Sequence, residues 1–157
     1  MTTEPLTKAA RLAIGGAVAP VESRVQRVLR ELGMLTDDPA WVRSTARRPK
    51  VELTRFVGAP RADGHVLGHV YFAQATPGGL VKIGWAVNVR RRVIQVACEN
   101  RLPALRPLTS VDGIRIDEGR VHRAVNGSRA HVPGRREWFQ PTDSVRRVVV
   151  AFGGQLL

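Results

Sequence analysis

The segment that most limits what this chain can fold into spans residues 66–87, where two β-type runs flank Pro77, Gly78 and Gly79. Residues 66–75 and 80–87 are rich in β-branched and aromatic side chains, and a Gly-Gly pair between such runs predicts a hairpin. With Gly78-Gly79 as a two-residue turn, Pro77 pairs with Leu80, Tyr71 with Ala86, and Ala75 with Lys82. Tyr71 and Lys82 then project from the same sheet face, because strand side chains alternate. Their rows lie roughly 13 Å apart at ~3.3 Å per residue, so they would flank a bound group without touching.

Downstream the pattern alternates helix and strand. Asn88 caps a predicted helix to about Cys98, with Val89, Val93, Val96 and Ala97 on one side. Residues 105–111 read as a third strand, and Pro107, which lacks an N–H, suggests a sheet edge. Asp117 begins a helix carrying Val121, Ala124 and Val125, closed by Asn126-Gly127. Trp138-Phe139 reads as a packed edge segment. Thr142 or Asp143 caps a last helix through Val145, Val148, Val149 and Phe152 to Gly153, although its valine-rich centre also suits a strand.

Upstream, Pro20 opens a helical pattern of Val21, Val25, Val28, Leu29 and Leu32 that ends at Gly33. Arg24, Arg27 and Arg30 share another face, as a solvated stripe or as phosphate contacts. Asp38-Pro39 signals a second short helix to Arg47, and 51–57 suits a strand. Two short helices suggest either a helix-turn-helix or a protein-interaction pair. The expected organisation is an α/β chain of the α+β type, with an N-terminal helical extension (1–57), a linker (58–65) and a main domain (66–157).

A formal charge of +12 on 157 residues, at 43% apolar content, predicts a folded protein with polyanionic partners. The 25 basic residues include lysine only at Lys8, Lys50 and Lys82. Arginine holds phosphate oxygens bidentately, whereas a lysine can also exchange a proton, so Lys82 stands out. A lone Cys98 makes neither an internal disulfide nor a metal cluster. No apolar run nears the ~20 residues of a membrane span. The stretch 12–20 is too short and glycine-interrupted for a signal core, and the expected location is cytoplasmic.

His69-Val70-Tyr71, then Lys82-Ile83-Gly84, then Asn88 and Arg92 form an ordered set. Asn100, Pro103, Glu118, His122, Arg129 and Glu137-Trp138-Phe139 continue it. This set, from Val66 to Pro141, resembles the GIY-YIG nuclease superfamily, and in particular its phage-associated branch whose second motif begins with lysine. His69-Val70 stands where Gly-Ile is usual. The resemblance implies a small three-stranded antiparallel sheet flanked by helices, cutting DNA phosphodiesters with one Mg²⁺ or Mn²⁺. It further implies that Tyr71 activates or positions water, Arg92 holds the scissile phosphate, and Glu118 ligates the metal, with Lys82 in place of a second tyrosine.

Elementary chemistry bears on these roles unevenly. Phosphodiester cleavage needs an oxygen nucleophile, cationic stabilisation of the transition state and help for the leaving oxygen. A phenol is a poor base at neutral pH unless positive charge lowers its pKa. Lys82 is a candidate acid or base. Arg90, Arg91 and Arg92 point about 100° apart on a helix, and the helical wheel does not choose between Arg90 and Arg92. Arg91 suits solvent or a nucleic-acid backbone, together with Arg129, Arg135 and Arg136. Glu118 shares a helix face with Val121, His122 and Val125, as a metal ligand or as a favourable charge in the first helical turn. His122 would orient Glu118, shuttle a proton, or serve structure alone. Glu137 would pair with Arg129 or Arg92. A DNA-binding module that keeps the fold with little or no cleavage is the rival reading.

Overall fold

The computed structural model describes residues 22–36, 66–132 and 136–157. The second short helix, the strand at 51–57, the linker at 58–65 and Arg135 lie outside these residues.

The first described helix, α1, spans Arg24–Glu31. Ser23, not Pro20, sets its start. The Ser23 hydroxyl accepts the Gln26 N–H at 3.1 Å, and the Gln26 side chain accepts the Ser23 N–H at 2.9 Å. This reciprocal capping box satisfies two of the N–H groups that a helix start leaves open. Gly33 at φ +67° closes the other end. Val25 and Leu29 are fully buried and belong to the same apolar cluster as strand residues Val70 and Phe72. This part of the N-terminal region is therefore one layer of the fold.

The sheet has four antiparallel strands among the described residues: β1 (Gly68–Gln74), β2 (Val81–Ala86), β3 (Arg106–Gly113) and β4 (Trp138–Phe139), in the order β3-β1-β2-β4. The expected three strands are present, and Trp138-Phe139 adds a two-residue fourth at the β2 edge. Pro107 does lie on an edge strand. It sits beside a bulge where the β1–β3 register shifts between Phe72 and Ala73, which accommodates the missing N–H.

The hairpin register differs from the expected one. Tyr71 pairs with Gly84 and Ala73 with Lys82, and Gln74↔Val81 is the last pair before the connection. The connection is thus a six-residue loop rather than a Gly-Gly turn. The Gln74 amide stabilises it by donating to the Gly79 carbonyl at 2.6 Å, and Gly78 takes φ +68°. A shift of two residues preserves side-chain parity, so Tyr71 and Lys82 still share a face. Their rows now sit only two residues apart, roughly 7 Å.

Helix α2 (Val89–Glu99) is capped by the Asn88 side chain, which accepts the Arg91 N–H at 3.0 Å. Helix α3 spans Arg115–Ala124 and α4 spans Asp143–Ala151. The valine-rich last segment is helical, with Val145, Val148 and Val149 buried together on one face. One sheet face, with Val70, Phe72, Val81, Ile83, Val111 and Phe139, is sealed by α1, α3 and α4. The other, with Tyr71, Ala73, Ala86 and Trp138, packs against Val93 and Val96 of α2.

Asp117 does not begin α3 but is its third residue. Fully buried, it accepts the Ile114 N–H at 3.1 Å, the Ser23 hydroxyl at 2.9 Å and Arg120 Nη1 at 2.7 Å. A buried carboxylate persists only when so completely partnered, and here it ties the start of α1 to α3.

Candidate active site at the edge of β2

The site is built where β4 stops. β4 pairs with Val81 and Lys82, and the Ile83 N–H then donates to the Glu137 carbonyl at 3.1 Å. The reciprocal ladder bond is not made. The Ile83 carbonyl instead faces His122 Nε2 at 3.1 Å. Because a carbonyl only accepts, this nitrogen carries the proton. Burial lowers the His122 pKa, against the opposing effects of the Ile83 carbonyl and Glu137, so the ring is neutral at pH 7. Its ring packs at 5.1 Å from that of Phe139. The histidine thereby docks α3 against the strand edge, and Glu118, one turn earlier, is carried to the same place.

Glu118 is only 12% exposed, with the neutral His122 ring placing Nε2 3.8 Å from its Oε1. Burial, then the nearby negative charge of Glu137, pushes its pKa up to about 7, against the positive charges of Lys82, Arg115 and Arg92. A buried carboxyl with so few partners at this position is suited to a cation.

Tyr71 is 1% exposed and lies across Gly84. A Cβ at position 84 would stand 2.6 Å from the Tyr71 hydroxyl oxygen, so the strand opposite the phenol must carry no side chain there. Burial pushes the phenol up to about 12, and Glu137 and Glu118 add to this, while the Arg92 guanidinium beside it works the other way. The positive charge near Tyr71 therefore does not make it a base at neutral pH.

Among the three consecutive arginines, Arg90 and Arg91 are exposed and Arg92 is half-buried. Arg92 is the one whose charge reaches Tyr71, and its Nη1 also lies 3.4 Å from Glu99 Oε1. Arg91 stands on the outer side of α2. Arg129 lies with its guanidinium 5.4 Å from the centre of the Phe139 ring, its Nε donates to Asn126 at 3.2 Å, and its Nη1 donates to the Arg136 carbonyl. The Arg136 side chain is exposed.

Lys82 is the main surprise. Its side chain is 4% exposed and is ion-paired with Glu137, with the Ile83 carbonyl at 3.5 Å. The glutamate expected opposite Arg129 or Arg92 thus belongs to the lysine. The pairing follows from register, since β4 places Trp138 opposite Lys82 and so delivers Glu137 beside it. Predicting it from sequence required knowing that 138–139 is a strand.

Tyr71, Lys82, Arg92, Glu118, His122 and Glu137 therefore form one cluster, drawn from two strands, two helices and the turn before β4. No group of three or more acidic, histidine or cysteine side chains among the described residues is arranged to hold a metal on its own. A surface depression lined by Gly127, Ser128, Thr142 and Asp143 lies elsewhere. A group acting on an exposed backbone phosphate needs no deep pocket.

Fold and site together define a small α+β domain with a mixed acid–base cluster at a sheet edge, overlain by an arginine-bearing helix. Residues 68–152 match the T5orf172 domain, and the chain belongs to that family, a phage-associated domain related to nucleases. No curated protein and no solved structure gives a significant match. Among the described residues, no helix is long and apolar enough to cross a membrane.

Proposed function

We propose that the domain is a DNA endonuclease of the GIY-YIG type, hydrolysing phosphodiester bonds with the help of one divalent cation. The observation that carries this reading is the convergence of Tyr71, Lys82, Arg92, Glu118 and His122 on one strand edge from distant parts of the sequence. Arg92 offers the guanidinium fork that binds a phosphate's non-bridging oxygens. Tyr71, protonated at neutral pH, positions water or phosphate as a hydrogen-bond donor and is not the proton acceptor. His122 anchors Glu118 through the Ile83 carbonyl.

Glu118 would hold Mg²⁺ or Mn²⁺, and its buried, under-partnered carboxyl fits a hard cation. One carboxylate leaves most of the octahedral positions that Mg²⁺ prefers to water and phosphate oxygens. Such an ion stabilises charge on the phosphate and acidifies bound water. DNA as partner is supported by the overall charge of +12 and by exposed Arg90, Arg91 and Arg136 around the site.

The test is incubation of the purified protein with supercoiled plasmid and Mg²⁺ or Mn²⁺. Nicking that is lost in Glu118→Ala and in Tyr71→Phe is the expected result. Tight DNA binding without nicking in either metal would replace this reading with that of a binding module that keeps the fold.

A further inference from the structure

Within the nuclease reading, the proton acceptor for the attacking water is left unassigned. In that reading Tyr71 is a hydrogen-bond donor and Glu118 holds the cation, while His122 donates its Nε2 proton to the Ile83 carbonyl. Lys82 is already committed, its buried ammonium being ion-paired with Glu137.

Glu137 differs from all of these. Its side chain is 46% exposed. Its Oε2 is held by Lys82, while Oε1 has no hydrogen-bond partner among the described residues. Its backbone is pinned to β2 through the Ile83 N–H. Burial pushes its carboxyl upward, but the hydrogen bond and charge of Lys82, reinforced by His122 and Arg92, hold it below the ordinary carboxylate range. It is therefore ionised at neutral pH, held through one oxygen by Lys82, and carried on a half-exposed side chain.

We infer that Glu137 is the catalytic carboxylate that orients the attacking water and takes its proton, and that Lys82 is a positioning residue acting through Glu137. The water oxygen bonds to phosphorus as one of its protons passes to Oε1. The bond from phosphorus to the leaving sugar oxygen breaks, its electron pair stays on that oxygen, and solvent supplies the proton that oxygen needs. Lysine suits position 82 because a compact ammonium on an unbranched stem fits beneath the carboxylate in a buried strand site.

The test is a double-mutant cycle on the full chain, scored by plasmid nicking in Mg²⁺ and by affinity for an uncleaved duplex. A general base contributes about 100-fold or more to rate. Glu137→Gln keeps the shape and an acceptor for Lys82, and is expected to lower kcat by at least about 100-fold with DNA affinity within about 3-fold. Lys82→Met is expected to lower kcat as well, and the double variant to be no slower than Glu137→Gln alone. Lys82→Arg, which retains the charge, provides the cycle if Lys82→Met does not fold, and is expected to recover part of the activity. Losses that multiply in the double variant, or Glu137→Gln within about 3-fold of the parent rate, would overturn the inference while leaving the nuclease reading intact. If the parent protein does not nick, both fall together.

Discussion

The two faces of the sheet are both buried, yet their chemistry differs. Toward α1, α3 and α4 the face is apolar, with Val70, Phe72, Ile83 and Phe139 fully enclosed. Toward α2, the same depth of burial holds a phenol and an ammonium, with a glycine where a side chain would collide with the phenol. Burial stabilises the first face through apolar area, at about 25 cal/mol per Å². On the second face, burial shifts proton affinities and fixes charges. One sheet thus separates the work of holding the fold from the work of arranging ionisable groups, and α3 crosses the boundary by reaching around the β2 edge.

The sharpest way to break this division is to cut into each face separately. Phe72→Ala removes a fully buried ring that packs 5.8 Å from that of Phe152. It should destabilise the protein by about 3–5 kcal/mol in urea unfolding, much of a small domain's stability. A loss below about 1 kcal/mol would mean that the apolar face is not the main support.

The next effect is the pH dependence set by Glu118. Its pKa rises on folding from 4.5 to about 7, so the folded state holds the proton more tightly. The associated stability is fully present below about pH 4.5 and is lost as pH rises through about 7, on the order of 3 kcal/mol in total. In metal-free buffer, thermal unfolding should show this decline between pH 5 and pH 8, and Glu118→Gln should flatten it. An unchanged slope in that variant would place the titration elsewhere.

Gly84→Ala sharpens the comparison on the face that carries Tyr71 and Lys82. The added methyl meets the Tyr71 ring and hydroxyl at 2.6–2.8 Å. A cost of about 1–3 kcal/mol is expected, with near-ultraviolet circular dichroism reporting the displaced phenol. The smallest effect belongs to Arg91→Ala on the outer side of α2. Stability should change by less than about 0.5 kcal/mol, while the salt dependence of DNA binding flattens by about one unit of slope.

Much of the fold was legible in local pattern. Asn88 as a cap, Gly33 and Gly153 as helix ends and Pro107 as an edge marker each rest on a constraint confined to a few residues. The Tyr71–Lys82 face was also readable, because parity survives a two-residue register shift. What was not readable depended on contacts between distant segments. The loop replaces a tight turn because Gln74 can bond the Gly79 carbonyl, and Asp117 sits inside α3 rather than at its start, where Ser23 and Arg120 meet it. Lys82 takes Glu137 as its partner only once β4 has formed. Arg92 could not be told from Arg90 by helical angle alone, and the position of α2 over the sheet makes the distinction.

The shortness of β4 has a consequence for how such a site can arise or be lost. A strand one pair longer would complete the ladder at Ile83, fill the carbonyl that His122 now occupies, and draw the Glu137 backbone fully into the sheet. The ionisable cluster therefore occupies a vacancy in a hydrogen-bond ladder. A change of one residue in the length of the segment before Trp138 could erase the site while every one of its side chains remained in the sequence.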